Sequence, residues 1–128
     1  MEVNEMKKEI DYIVNNYYIE EFDKLNDWDD PQGRKYILEQ IKSCVEWIEQ
    51  KTKEFDILGK SLKTKGINKT YSSYSLKHII ENEMGMYVSN PATIIALRIC
   101  GFTLSRLEDS PNAGINISMR VFRNQRTY

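Results

Sequence analysis

A single histidine, His78, and two cysteines far apart in the chain, Cys44 and Cys100, set narrow limits on the chemistry of this sequence. A structural zinc site takes four thiol or imidazole ligands, and these residues cannot complete one. Each cysteine falls inside an apolar helical pattern, which predicts two buried, reduced thiols acting as small hydrophobes. Long hydrophobic runs are also missing. The most apolar stretch, Ala92 to Phe102, is interrupted by Arg98 and is well short of the roughly 20 residues that span a bilayer. The start, MEVNEMKKEIDYIV, has no apolar run followed by a small-residue cleavage site. The expectation is a cytoplasmic protein with neither signal peptide nor membrane contact.

Catalytic sets are equally scarce. A nucleophile needs a base within reach and a third group to orient that base. On a helix only neighbours three or four residues apart meet. His78 therefore has Ser75, Tyr74 and Asn82 as possible partners. The favoured reading is a structural histidine, hydrogen-bonded across the third and fourth predicted helices. No glycine-rich phosphate loop precedes a helix, and no pair of carboxylates stands out. The sequence is read as non-enzymatic, with no cofactor and no metal.

What the chain does have is segregated charge. Its 128 residues, 41% hydrophobic and 29% charged, suit one folded domain with a net charge of −1. Residues 1–58 carry 15 Asp and Glu against 8 Lys and Arg, whereas residues 59–128 carry 4 against 10. Either the two halves attract each other within the fold, or each faces a partner of opposite charge.

The periodicity predicts a mainly α-helical fold. Met6, Ile10, Ile13 and Tyr17 mark a helix over 4–25. Asp30-Pro31 is a cap followed by proline at the first helical position. From there Ile37, Ile41, Cys44 or Val45, Ile48 and Phe55 keep one face apolar until Gly59, a helix of about 40 Å. Residues 1–58 are thus expected to form an acidic helical hairpin. The apolar stripe of the long helix also suits the seam of a homodimer.

Residues 59–72, with Gly59, Gly66, Lys60, Lys63, Lys65 and Lys69, read as a basic linker or loop. Residues 73–128 read as a compact helical unit with a small two-stranded piece. Ser72 or Ser73 caps a third helix that ends at Gly85, and Asn90-Pro91 starts a fourth, closed by Gly101. The fourth helix, PATIIALRIC, is apolar nearly all round and should be central and buried. Ile115 to Met119 alternates with period two, predicting a strand that pairs with Met86 to Val88.

Two surfaces are candidates for binding. Glu20, Glu21, Asp23, Asp27, Asp29 and Asp30 surround Trp28 at the predicted hairpin turn. That cluster would attract a basic protein surface or imitate phosphates, with Trp28 as an anchor. The alternative is nucleic-acid contact through Lys63, Lys65, Lys69, Tyr71, Tyr74, Lys77, Arg120, Arg123 and Arg126, which interleave cations with aromatic rings. The third and fourth helices have the order of a helix-turn-helix, but the fourth exposes only Thr93 and Arg98 as polar groups. A reader of base edges needs more than that.

Ser73-Tyr74-Ser75-Leu76-Lys77-His78, Tyr87-Val88-Ser89-Asn90, Gly101-Phe102 and Asn116-Ile117-Ser118 together resemble a group of small, largely uncharacterised proteins carried by bacteriophages and plasmids. The resemblance covers under half of the chain. It implies a protein of a mobile element in a bacterial host, of the kind that includes anti-CRISPR inhibitors. Its partner would then be a host protein or ribonucleoprotein complex of a defence system. The second expectation is a DNA- or RNA-binding regulator.

Overall fold

The computed structural model describes residues 8, 12, 31–106 and 112–123. In chain order its elements are α1 (Pro31–Ile57), β1 (Lys63–Ser72), α2 (Ser73–Met84), α3 (Asn90–Ile99), β2 (Leu104–Arg106), β3 (Ala113–Ile117) and α4 (Arg120–Arg123). The described chain is mainly helical with a small antiparallel sheet. Lys8 and Tyr12 are helical as well. The rest of the expected first helix, and the turn that joins it to α1, lie outside the described residues. No helix of the described residues is long and apolar enough to cross a membrane.

α1 starts at Pro31 and buries Ile37, Ile41, Cys44, Ile48 and Phe55 at helical spacing, with Gln40 and Trp47 beside them. Cys44 takes the inner position and Val45 only packs at the margin. The apolar stripe is therefore occupied by the chain's own core, not left open as a dimer seam. Gln40 is buried because its Oε1 accepts from the Ser89 backbone N–H at 2.7 Å. α1 thereby helps to satisfy the start of α3.

α3 is the central element. Asn90 through Leu97 are all buried, between α1, α2 and the sheet. Its cap is Ser89, whose side chain accepts from the Ala92 N–H at 3.1 Å. Asn90, expected as the cap, is instead the first helical residue, and its side chain turns inward to Ser73. α3 closes on Gly101, whose φ of +83° only glycine adopts without strain. Phe102 N–H then bonds back to the Leu97 carbonyl, which brings two buried apolar residues together at the helix end. α2 is capped by Ser72 and ends at the left-handed Gly85.

The sheet has the order β1-β3-β2 and is antiparallel throughout. Here the sequence reading needs correction. The segment read as a basic linker or loop, 59–72, forms strand β1 over most of its length. β1 is an edge strand, and its lysines and Gly66 give it the composition of a loop. Charge on an edge strand blocks pairing with other chains, so low hydrophobicity there does not argue against a strand. Its register against β3 shifts twice, with Lys63 opposite Ile117, Asn68 opposite Ile115 and Ser72 opposite Gly114. Such irregular pairing weakens any period-two signal.

The expected partner of β3 also differs. Met86 to Val88 form no strand. The Val88 carbonyl instead accepts from Lys77 Nζ at 3.3 Å, and its N–H approaches Glu81 Oε2 at 3.4 Å. Two side chains of α2 thus do the work of a neighbouring strand. The strand on the far side of β3 is Leu104–Arg106, for which the sequence raised no expectation. Asn116, a polar position of the period-two pattern, is buried. Its amide accepts from Thr103 N–H at 2.7 Å and donates to the Thr64 carbonyl at 3.2 Å, tying both sides of the sheet.

One cluster of buried side chains runs from Ile37 in α1 through Leu62 to Phe122 in α4. The residues on either side of β1 share this core.

Candidate functional site

The end of α1 creates the first half of the site. Gly59 adopts φ +70°. Its N–H bonds to the Asp56 carbonyl and the Lys60 N–H to the Phe55 carbonyl. This paired closure of a helix end sets Lys60 beside Phe55. The second half is α4. Ser118 Oγ accepts from the Arg120 N–H at 3.3 Å and helps to start the turn. Arg120 and Arg123, three residues apart, share one side of that turn. Phe55, Leu58, Lys60, Arg120 and Arg123 line a cavity of about 150 Å³. All three cations are exposed. Among the described residues none of them belongs to an ion pair, and none of the described residues that line the cavity is a carboxylate. Like charges held close without acids form a field suited to an anion.

The other side of α4 is different. Phe122 stacks on Tyr71 of β1, with ring centroids 4.5 Å apart and planes within 11°. This pair walls a second, larger cavity of about 540 Å³, lined also by Ser75, His78, Asn82 and Glu81 of α2. His78 is half-exposed, correcting the expectation of a histidine bonded across two helices. Its Nδ1 lies 3.0 Å from Glu81 Oε1 on its own helix, and Tyr74 meets it edge-on at 4.5 Å.

The residues expected to contact nucleic acid have separate fates. Arg120 and Arg123 converge as described. Lys65 is exposed. Lys63 lies over the Phe102 ring at 5.2 Å. Tyr71 joins the stack, and Tyr74 is 49% exposed. Lys77 is only 8% exposed. Its ammonium is 3.2 Å from Glu81 and sits 5.0 Å from the Tyr87 ring and 5.6 Å from the Tyr74 ring. A lysine so engaged is structural in this fold. The side chain of Lys69, and Arg126, lie outside the described residues. Lys60, Phe122 and Asn82 were not in the expected set. The spacing Arg120-x-x-Arg123 around Phe122 was the available signal for the α4 residues.

Glu20, Glu21, Asp23, Asp27, Trp28, Asp29 and Asp30 also lie outside the described residues. Residues 31–58 balance 5 Asp and Glu with 5 Lys and Arg, so the acidic excess belongs to residues 1–30. The described residues hold 15 Lys and Arg against 7 Asp and Glu. The body of the protein is therefore cationic although the whole chain is not.

The residues that carry the sequence resemblance build an internal polar network. Ser73 Oγ donates to Asn90 Oδ1 at 2.7 Å and accepts from the Ala113 N–H at 3.0 Å, while Asn90 Nδ2 donates to Asn112 Oδ1 at 3.1 Å. These bonds join α2, α3 and β3. Cys44 and Cys100 are free thiols. Burial pushes Cys44 up to about 12, despite its contact with Thr93, and pushes Cys100 up to about 11. Thiols held neutral in this way are poor nucleophiles. Among the described residues no group of His, Cys, Asp and Glu could hold a metal ion.

No family model, curated protein or solved structure matches this chain.

Proposed function

We propose that the protein is a non-enzymatic nucleic-acid-binding protein of a mobile element, which holds a phosphate backbone at Lys60, Arg120 and Arg123. The observation that carries this reading is the convergence of those three cations on one cavity with no acid among its described lining residues. Phosphate contacts of this kind supply affinity without reading sequence. α3 is buried along most of its length, so a helix-turn-helix that inserts α3 into a groove has no support. Contact through the α1–β1 turn and α4 needs no such insertion.

The sequence resemblance to phage and plasmid proteins supplies the setting. A CRISPR-Cas complex or another host defence complex handles nucleic acid, and a protein that covers a phosphate path denies it to that complex. Inhibition would then follow from the same cationic surface.

The test is a binding titration of labelled nucleic acid against wild type and the K60E/R120E/R123E variant. All three side chains are exposed, so the variant keeps its fold, which circular dichroism verifies. Wild type binds at micromolar concentration and low salt, and the variant does not. Equal binding by the two proteins would refute the assignment of this site.

A further inference from the structure

The second cavity lies against the same four-residue helix as the cationic one. Arg120 and Arg123 line the small cavity, and Phe122 lines the large one. A ligand that crosses α4 therefore meets positive charge first and an aromatic wall next. A nucleotide has that order of parts: a phosphate, a sugar, then a flat base with polar edges.

We propose that the cavity walled by Tyr71 and Phe122 takes an unpaired base, so that the protein selects single-stranded over double-stranded nucleic acid. This rests on the phosphate-binding reading above and adds the class of strand. The volume, about 540 Å³, is within the roughly 300–1,000 Å³ usual for small-ligand sites. Ser75 and Asn82 line it, and their side chains hold no hydrogen bond with any described residue. A hydroxyl and a carboxamide offer donors and acceptors suited to a base edge. The His78 ring uses Nδ1 toward Glu81, leaving Nε2 for a ligand. The Glu81 carboxylate, which would repel phosphate, is compensated by Lys77 at 3.2 Å.

Aromatic surface continues beyond His78. Tyr74 and Tyr87 are 49% and 53% exposed, and Lys77 lies within 5.6 Å of both ring centroids. Exposed rings form a stacking path for successive bases. In a duplex the base faces are covered by their neighbours, so neither the cavity nor the rings can use them.

The test compares fluorescein-labelled oligothymidylate and oligouridylate with a duplex of the same length, using full-length protein. Single strands bind about tenfold more tightly than duplex, as expected from one stacked base at 1–3 kcal/mol. H78A/N82A loses most of that preference while its duplex affinity stays at the wild-type value. The preference of thymidylate over uridylate, or the reverse, decides between DNA and RNA. Equal affinity for single strand and duplex, both weakened by salt, overturns the base cavity and leaves phosphate binding intact. A wild-type preference in H78A/N82A overturns it as well. Binding to none of the probes removes both proposals.

Discussion

Tyr71 and Phe122 stack face to face, with ring centroids 4.5 Å apart, and so fix the last helix of the described chain to its longest strand. The pair holds α4 at one angle. It thereby sets Arg120 and Arg123 on one side and the open cavity on the other. Position, more than the identity of any single residue, makes the candidate site.

The network behind that site depends on Ser73. Ser73→Ala leaves the buried Ala113 N–H without its acceptor and removes the hydroxyl that donates to Asn90 Oδ1. Unmet buried groups cost about 1–3 kcal/mol each. The expected loss of stability is about 2–4 kcal/mol, read from the urea midpoint. Nucleic-acid affinity measured well below that midpoint should be unchanged.

Lys77 separates a structural lysine from a binding one. Lys77→Ala takes the ammonium away from the half-buried Glu81 carboxylate, leaving it His78 and the Val88 N–H, and removes the bond to the Val88 carbonyl. Removing one partner of a buried pair costs about 3 kcal/mol or more. Thermal unfolding should therefore shift downward by many degrees, while the salt dependence of nucleic-acid binding keeps its slope. An unchanged melting temperature together with a shallower slope would place Lys77 at the phosphate instead.

High pH should loosen the fold. In the unfolded chain a thiol ionises near 9.0, but folded Cys44 resists until about 12. The stabilisation this gives is complete below the unfolded value and disappears as pH rises toward the folded one. Lys51 acts in the same direction. Burial lowers its affinity for a proton, but Glu54 and Glu83 outweigh that and hold it above its ordinary 10.5. Its contribution is therefore full below that value and fades at higher pH. The urea midpoint should be level through neutral pH and decline once the medium passes 9.0. A thiol reagent at neutral pH should leave Cys44 unmodified until denaturant is added, and rapid labelling in the native protein would contradict its burial.

The acidic residues offer a separate control. D27K/D29K/D30K should leave nucleic-acid affinity equal to wild type or higher, because the cationic cavity needs none of them and the substitutions remove negative charge. Weaker binding in that variant, measured at low salt, would assign the acidic cluster a supporting role that the cavity does not explain.

Much of the helical architecture was legible because helix ends carry local signals. Ser72, Gly85 and Gly101 each act where the sequence predicts, and the apolar PATIIALRIC is the buried centre. The sheet was harder to read. β1 hides behind lysines because its outer edge meets water and its register slips twice. Val88 imitates a strand but is held by the side chains of Lys77 and Glu81. Within the site, Arg120 and Arg123 were visible as basic residues near the end of the chain. Their meeting with Lys60 was not, since it depends on how the α1–β1 turn and α4 pack in space. Lys77 looked like a contact residue in sequence because nothing local announces that a lysine is buried.

The most direct measurement of the central claim is the salt dependence of binding to a single-stranded oligonucleotide. Three phosphates neutralised by Lys60, Arg120 and Arg123 predict that log affinity falls with log salt at a slope of about −2. Loss of all three charges in K60E/R120E/R123E should bring that slope close to zero along with the affinity. A slope near zero in wild type, or a full slope retained in the variant, would contradict the account.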